Sequence, residues 1–398
     1  MTAEDFLNPV VRDLPPSGIR KFFDLVANTK GVISLGVGEP DFVTPWFIRE
    51  ACLRALEQGY TMYSSNWGLP ELRQEIASYL ERRFGVTYDP VEEILVTVGA
   101  SQAIDLSLRA VLRPGDEVLI PEPNYVSYKP CTLLAGGTPV VVPTRPSRQF
   151  RLTLEDVQAR LTPRTRVLVL SYPNNPTGAV MRREDLLPLA RLAERQDLLV
   201  ISDEIYAELT YEGRHTAFAS LPGMRERTLL VGGLSKAFAM TGWRIGYVCG
   251  PASLIRGLLK IHQYTMLCAP IMSQKAAVEA LRRGQEAVEE MVREYDMRRR
   301  LVVHSLRQMG LECFEPQGAF YVFPSFRSLT NWTAEEFCAR LLQEERVAVV
   351  PGTAFGEGGE GHFRLSYAAA TGTLMEALRR LASFCARHRQ RQWQVGLG

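Results

Sequence analysis

The chain has 398 residues, of which 46% are hydrophobic and 23% charged, and its formal net charge is +2. This composition is typical of a globular protein with a large core, and the charge gives no electrostatic basis for binding nucleic acid or an anionic membrane. The N-terminus lacks the apolar core of a signal peptide, and no uncharged apolar run is long enough to span a bilayer. We therefore expect small-molecule partners.

Cysteine and histidine usage narrows the class further. The seven cysteines are scattered without a CxxC pair, which favours reduced thiols and a cytoplasmic location over a disulfide framework. The five histidines have no metal-ligand spacing, so we predict no metal site.

The first 93 residues predict an arm followed by two helices. Residues 1–45 form the arm, which includes a short helix over 19–26 and an apolar run over 32–35. Apolar residues at helical spacing predict a helix over 45–58, and Pro70 opens a second helix that Gly85 ends. A polar and aromatic loop, 60–68, joins these two helices.

After Glu93, short apolar runs alternate with segments of helix length. Each run is predicted to be a strand; the runs are 94–98, 117–120, 139–142, 167–170, 198–201, 228–231 and 245–249. This alternation predicts an α/β fold with a mostly parallel, doubly wound sheet. We assign residues 46–284 to this large domain.

The C-terminal part has a different pattern. Residues 252–309 predict two helices broken near Pro270, and Thr333-x-x-Glu336 is a capping box that opens another. Further elements are predicted at the end of the chain: strands over 312–314, 319–323, 347–350 and 362–367, and a helix over 372–388. We assign 285–398, together with the N-terminal arm, to a small α+β domain.

Lys236 is the first candidate for chemistry. It follows the apolar run 229–231, and Arg244 comes eight residues later. Desolvation and a nearby cation both lower the pKa of an amine, and such a lysine can form a Schiff base with a carbonyl. A lone Ser-Lys pair would more often be a surface feature.

Other candidates also fall at the carboxyl ends of apolar runs, where open α/β sheets bind ligands. The turn Gly99-Ala100-Ser101 joins a strand to a helix, which suits an anion, although a simple packing turn would look the same. Asp203 ends a hydrophobic strand and needs a partner there, unless it is a helix N-cap. Arg364 lies within an apolar strand, so it requires a carboxylate ligand or a structural ion pair.

Three stretches resemble the signatures of one enzyme family. These stretches are Ser171–Gly178, which contains Asn-Pro-Thr-Gly; Leu199–Tyr206, which contains Asp-Glu-Ile-Tyr; and Gly232–Tyr247, which contains Ser-Lys and Gly-Trp-Arg-Ile-Gly. They resemble the class I/II aminotransferases, which are enzymes of pyridoxal 5′-phosphate (PLP) with the fold-type-I architecture. The resemblance runs from about Gly36 to Arg364.

The resemblance implies an aspartate/aromatic aminotransferase-like activity. Such an enzyme moves the amino group of an L-amino acid to a 2-oxo acid, here with 2-oxoglutarate as the expected acceptor, through a ping-pong cycle between PLP and pyridoxamine phosphate. In this interpretation Lys236 attaches the cofactor and then serves as general base, and Asp203 pairs with the pyridine nitrogen. Tyr206 and Asn175 bond the cofactor's phenolate oxygen, and Asn175 also contacts the substrate carboxylate.

The remaining roles are likewise implied by the resemblance. Residues that bind the cofactor phosphate are Gly99, Ala100, Ser101, Arg244 and Ser235, the last because Gly233 stands where relatives often have a hydroxyl residue. Tyr125 stacks on the cofactor ring, and Arg364 with the Gly38 N–H holds the substrate carboxylate. Tyr63 matches a tyrosine that reaches the phosphate in the neighbouring subunit, which implies a homodimer with shared active sites.

Two other functions use the same residues. A PLP-dependent C–S β-lyase also begins by stabilising negative charge at the substrate's α-carbon, and fold does not decide between the two reactions. A non-catalytic PLP-binding regulatory domain is the remote alternative, because about 35 residues before Gly36 are too few for a helix-turn-helix module and a linker.

Overall fold

The computed structural model describes residues 2–16, 18 and 30–389; the helix predicted over 19–26 lies outside them. The helices are α1 Pro9–Asp13, α2 Trp46–Glu57, α3 Pro70–Phe84, α4 Gly99–Val111, α5 Tyr128–Leu134, α6 Leu154–Gln158, α7 Arg183–Arg195, α8 Ala252–Thr265, α9 Ile271–Arg283, α10 Gln285–Gln308, α11 Ala334–Glu345 and α12 Thr371–His388. The strands are β1 Ile33–Ser34, β2 Ile94–Thr97, β3 Glu117–Glu122, β4 Thr138–Pro143, β5 Thr165–Ser171, β6 Leu199–Asp203, β7 Thr228–Gly233, β8 Gly246–Cys249, β9 Tyr321–Val322, β10 Val347–Ala348, β11 Val350–Pro351 and β12 Phe363–Ser366.

A seven-stranded sheet contains every strand that was predicted between residues 94 and 249. Its order is β2-β8-β7-β6-β5-β3-β4. Strands β7, β6, β5, β3 and β4 run parallel to one another, whereas β8 is antiparallel to both of its neighbours. The prediction of a mostly parallel α/β sheet is confirmed.

Both faces of this sheet are buried. Successive side chains of a strand point to opposite faces, and in β3 Val118 and Ile120 pack in one apolar cluster with Ile104 of α4. Leu119, between them, packs in a second cluster that includes Leu189 of α7. Strands buried on both faces have continuous apolar runs, which explains the pattern in the sequence.

Two smaller sheets share no strand with the large sheet. β1 pairs in parallel with β10, with Ile33 opposite Val347, so residues near the two ends of the chain meet. The other sheet is antiparallel, in the order β11-β12-β9. The division into domains at residues 45/46 and 284/285 stays a prediction.

Three predictions of secondary structure were wrong. The segment predicted as one strand over 347–350 forms two short strands in different sheets, β10 beside β1 and β11 beside β12. The segment 312–314 is not a strand, because only Glu312 forms an isolated bridge, to Ser325. Residues 252–309 form three helices rather than two, since Gly284 separates α9 from α10. A Cβ at Gly284 would lie 2.8 Å from the Phe238 ring, so the absent side chain lets this ring pack against the backbone.

The predicted ends of α3 are confirmed, whereas among the described residues only the Thr333 half of the predicted capping box is found, since the Glu336 carboxylate accepts from Arg340. Pro70 is the first residue of α3, and Gly85 ends it in the left-handed conformation with φ 67°. The Thr333 hydroxyl accepts a hydrogen bond from the Glu336 N–H at the start of α11. Within the described part of the chain, no helix has both the length and the apolarity needed to cross a membrane.

Strand β8 packs closely against the first turn of helix α4. Gly246 of β8 pairs with Thr97 at the end of β2, just before the turn into α4. A Cβ built on Gly246 would meet the backbone nitrogen of Ala100 and the carbonyl carbon of Gly99. These are backbone atoms that cannot rotate away, so the glycine allows β8 to lie against the start of the helix.

We predict that Gly246→Ala lowers the free energy of unfolding by about 1–3 kcal/mol, because the new methyl group overpacks this contact. The matched control is Gly257→Ala in α8, where an added Cβ has no neighbour within 4 Å. That change should be neutral or stabilising by up to about 1 kcal/mol, as expected of alanine within a helix. Chemical denaturation measures both variants, and equal stabilities would contradict the packing argument.

Candidate active site

A cavity of about 330 Å³ opens at the carboxyl-terminal edge of the parallel strands. It brings together residues that are far apart in sequence, and of the predicted site residues all but Gly99 and Tyr63 line it: Gly38, Ala100, Ser101, Tyr125, Asn175, Asp203, Tyr206, Ser235, Lys236, Arg244 and Arg364. The volume suits a small ligand.

Lys236 lies three residues after the end of β7 and points into this cavity. Its Nζ donates a hydrogen bond of 2.7 Å to the carbonyl oxygen of Gly38. Burial lowers the pKa of this amine to about 8; Glu39 opposes the shift, whereas Arg364 and Arg244 add to it. The lysine is thus closer to its neutral, nucleophilic form than an ordinary lysine is at neutral pH.

Asp203 is the last residue of β6, and only 4% of it is exposed. Its Oδ2 accepts a hydrogen bond of 2.7 Å from the Tyr128 hydroxyl, and its Oδ1 accepts one of 3.2 Å from the Ile205 N–H. Burial raises the pKa of the carboxyl group to about 6, although both hydrogen bonds favour the anion. Tyr128 was missed in the sequence because its partner lies 75 residues away.

Arg364 of β12 is only 2% exposed. Its Nη1 donates to the Asn175 side-chain oxygen at 2.8 Å and its Nη2 to the Gly36 carbonyl at 2.6 Å. Its Nε is buried and has no hydrogen-bond partner in the part of the chain that the structure describes. Among the described residues Arg364 forms no ion pair with a carboxylate, so the structural ion-pair alternative finds no support and the guanidinium remains able to bind one.

Tyr206 lies in the loop after β6, and its hydroxyl is 2.8 Å from the hydroxyl of Tyr321. Both side chains are buried. Tyr321 also lines the cavity, and its ring faces the guanidinium of Arg364 at 4.4 Å. Sequence reasoning placed a strand over 319–323 but gave Tyr321 no role.

The other end of the cavity is built to hold an anion. Helix α4 begins at Gly99, and its first N–H groups have no partner within the helix. Arg244 lies against this turn: a Cβ on Gly99 would come within 2.9 Å of the guanidinium carbon, and Gly99 has φ 74°. Only glycine therefore suits position 99, although Gly99 itself does not line the cavity.

Ser235, and not Gly233, is in a position to present a hydroxyl to the cavity. A Cβ on Gly233 would lie 3.0 Å from Ile205 and 3.1 Å from the Ile245 carbonyl, so a side chain fits poorly there. Gly233 does not line the cavity, whereas Ser235 does. Ser235 is thus placed where a hydroxyl could reach the ligand.

Tyr63 is separate from this cavity. Its side chain is 83% exposed, in the loop between α2 and α3. It makes no contribution to the cavity of its own chain. Its predicted contact with a neighbouring subunit stays a prediction.

The family of the chain follows from comparison with known proteins. The family described as "Aminotransferase class I and II" matches residues 30–381. The chain belongs to the class I and II aminotransferases.

Relatives of this aminotransferase cover nearly its whole length. YugH of Bacillus subtilis, whose aminotransferase assignment is provisional, is 52% identical over 95% of this chain and 98% of its own. The aspartate aminotransferase of Pyrococcus abyssi is 49% identical over 92% of this chain and 95% of its own. The crystal structure of the aromatic aminotransferase of Pyrococcus horikoshii has a TM-score of 0.88 and 46% identity, over 93% of this chain and 99% of that one.

The aminotransferase is therefore a fold-type-I enzyme that uses PLP and transfers amino groups. The chemistry of the cavity fits that cofactor. A helix N-terminus with Arg244 suits a phosphate, the buried carboxylate of Asp203 suits a protonated ring nitrogen, and the amine of Lys236 suits an aldehyde.

We predict that Asp203→Asn stabilises the PLP-free aminotransferase at pH 7.5 by roughly 1–3 kcal/mol. The folded-state pKa of about 6 lies above the ordinary value of 3.8, so the buried carboxylate destabilises the fold above pH 6. This destabilisation shrinks as the pH falls from 6 towards 3.8, so the variant's advantage should decrease over that range.

Denaturant titrations of the PLP-free protein at pH 7.5 and 4.5 measure this effect. Asp197→Asn is the control, because the Asp197 side chain is 88% exposed and its replacement should change stability by less than about 0.5 kcal/mol. An Asp203→Asn protein that is less stable than wild type at both pH values would contradict the proposed cost of burial.

Proposed function

We propose that this aminotransferase moves the amino group of an L-amino acid to a 2-oxo acid, with 2-oxoglutarate as the acceptor, in the cavity around Lys236. The observation that carries the proposal is a lysine of lowered pKa between a buried carboxylate, Asp203, and a buried arginine, Arg364. The amine can attach an aldehyde, the carboxylate can hold a proton on a ring nitrogen, and the arginine can bind the carboxylate of an amino acid.

When bound, PLP supplies a carbonyl group that takes up the amino group and a ring that withdraws electrons from the substrate's α-carbon. Asp203 would hold a proton on the ring nitrogen, since an anion beside that nitrogen favours its protonated form. Tyr128 and the Ile205 N–H support this role, because their hydrogen bonds stabilise the carboxylate as an anion.

Lys236 has two tasks in this proposal. Its Nζ would hold the cofactor by its aldehyde carbon until the substrate's amino group takes its place. The freed Nζ would then be the base that moves the proton of the substrate's α-carbon to the former aldehyde carbon. An amine with a pKa of about 8 can both accept and release a proton near neutral pH.

Arg364 would orient the substrate by its α-carboxylate. Its fork is held by Asn175 and the Gly36 carbonyl, while Nε has no partner among residues 2–16, 18 and 30–389. Binding a carboxylate would neutralise a buried cation, so the interaction is strengthened by exclusion of water. Gly38, whose carbonyl accepts from Lys236, would contribute its N–H to the same carboxylate.

The phosphate and the ring of the cofactor would be bound by residues of the large sheet's edge. The phosphate would lie against the start of α4, with Arg244 and the Ser235 hydroxyl completing the site. Tyr125 would stack on the ring; its own ring meets that of Tyr128 edge-on at 5.6 Å, which limits its rotation.

We further propose a cytoplasmic homodimer in which each active site includes Tyr63 of the partner subunit. The exposed position of Tyr63, outside its own cavity, supports this arrangement. The cytoplasmic location rests on the scattered cysteines of the sequence. The donor amino acid is left to experiment, because one relative is named for aspartate and another for aromatic amino acids.

We predict that at least one amino acid among glutamate, aspartate, alanine and phenylalanine, added alone to the purified holoenzyme, removes the visible absorption of the lysine-bound cofactor. The amino group is then held on the cofactor, so a 2-oxo acid such as 2-oxoglutarate should restore the absorption. Absorption spectroscopy follows both halves, and mass spectrometry identifies the aminated cofactor.

The same experiment distinguishes transfer from elimination. Lys236→Ala is the control, since it should bind PLP without attaching it and lose nearly all turnover. The proposal would be contradicted if none of the four amino acids changed the absorption of the holoenzyme while cysteine or cystathionine released pyruvate and ammonia. The enzyme would then be a β-lyase.

We predict that mixing inactive Tyr63→Phe and Lys236→Ala subunits restores activity. A hybrid dimer gathers both changes into one site and leaves the other intact, so random exchange should recover about a quarter of the wild-type sites. Each variant carried alone through the same exchange is the control. Complete exchange without recovery would mean that Tyr63 does not serve the partner's site; the test requires Tyr63→Phe to be clearly impaired.

A further inference from the structure

Tyr321 connects residues that have separate roles in the proposed function. It is fully buried, and its hydroxyl lies 2.8 Å from that of Tyr206. The face of its ring lies 4.4 Å from the guanidinium carbon of Arg364. One side chain thus contacts both the proposed donor to the cofactor's phenolate oxygen and the proposed receptor of the substrate carboxylate.

The backbone holds Tyr321 firmly in this position. The residues before it are anchored to the loops that carry Asn175 and Tyr206, because Gly318 donates to the Gly178 carbonyl at 3.0 Å and Ala319 to the Leu209 carbonyl at 2.9 Å. Tyr321 itself lies opposite Ser366 in the β9–β12 ladder, two residues after Arg364.

The hydroxyl is fixed as well as the ring. A Cβ on Gly38 would come within 2.5 Å of the Tyr321 oxygen, so the hydroxyl fills the space left by the absent side chain. It therefore lies between Gly38 and Tyr206, with no room to turn towards Gly38.

Either hydroxyl of the Tyr206–Tyr321 pair could be the donor, and the role proposed for Tyr206 decides between them. A phenol carries one proton, so Tyr206 can donate to the cofactor only if it accepts from Tyr321. A hydroxyl that accepts one hydrogen bond becomes a stronger donor in the next.

We propose that Tyr321 is a positioning residue whose hydroxyl donates to Tyr206, directing the proton of Tyr206 towards the bound cofactor, while its ring supports the Arg364 guanidinium. The inference rests on the roles proposed above for Tyr206 and Arg364. A cation over an aromatic face is stabilised by the ring, more so where water is excluded.

The charged and titratable groups around this pair come from several elements and would be kept in every variant. Arg364 faces it from β12, Asp203 from the end of β6, and Tyr125 from the loop after β3. Lys236 lies 5.9 Å from the centre of the Tyr206 ring. A difference between wild type and Tyr321→Phe therefore reports on the hydroxyl alone.

The first test titrates the visible absorption of the holoenzyme against pH. A hydrogen bond donated to the cofactor's phenolate oxygen stabilises the deprotonated chromophore, so losing or weakening the bond raises the midpoint. We expect Tyr321→Phe to raise it by roughly 0.3–1 pH unit, and Tyr206→Phe by at least as much. In the Tyr206→Phe background, Tyr321→Phe should cause no further shift.

The second test separates the hydroxyl from the ring. Tyr321→Phe keeps the ring and should leave the KM for the amino acid within about twofold, whereas Tyr321→Leu removes it and should raise the KM roughly fivefold or more. Thermal unfolding of each holoenzyme accompanies both tests. If Tyr321→Phe does not fold, 3-fluorotyrosine at position 321, a more acidic donor, should lower the titration midpoint instead.

Each result of these two tests bears on a different part of the proposal. An unchanged midpoint in Tyr321→Phe, or an equal shift with and without the Tyr206 hydroxyl, would overturn the proposed chain of hydrogen bonds. Equal KM values in the Phe and Leu variants would overturn the support of Arg364. An unchanged midpoint in Tyr206→Phe would instead refute the role proposed for Tyr206, and a wild-type protein inert to all amino acids would refute the function itself.

Discussion

The low polarity around the amine of Lys236 is the constraint on which the site depends. A charged ammonium is costly there, because burial removes water and two arginines repel it. Within the described residues, Nζ forms one hydrogen bond, to the Gly38 carbonyl, a neutral group that accepts from the amine without fixing its charge. The fold therefore lowers the pKa of Lys236 to about 8, so that much more of this amine is neutral near physiological pH than of an ordinary lysine.

The other charged groups of the cavity are arranged at separate positions around that amine. Arg244 and the start of α4 form a positive end, Asp203 forms a negative floor held by Tyr128, and Arg364 forms a second positive position. Among the described residues, the Nε of Arg364 is a buried donor of this cavity without a hydrogen-bond partner. Such an arrangement is complementary to a ligand that carries its charges in the same order, and it is preorganised because rigid strands and their ends hold it.

Local patterns were sufficient to predict the sheet, because both of its faces are buried and its seven strands are apolar runs. The site residues were named mainly from the family resemblance; eleven of them line one cavity, and their roles stay predictions. The antiparallel direction of β8 had no local signal, since direction depends on how the connection is routed. The close packing of the Phe238 ring against Gly284 likewise joins residues far apart in sequence.

Tyr128 and Tyr321 were missed for a related reason. Tyr321 is an aromatic residue within an apolar run, a pattern that favours the core, and Tyr128 follows a turn without a motif of its own. Their importance comes from partners 75 and 115 residues away, Asp203 and Tyr206, which only the fold brings near. Tyr63, in contrast, was predicted from a family motif, and its position outside its own cavity leaves the test to the assembled protein.

The most direct test of this account is the pKa of Lys236 in the PLP-free protein. Competitive labelling with a small uncharged acylating reagent at a series of pH values, read by mass spectrometry, reports the reactivity of each of the six lysines. The account predicts that labelling of Lys236 rises with a midpoint near pH 8. A midpoint near the ordinary lysine value of 10.5 would contradict it, because the amine would then be fully charged at neutral pH.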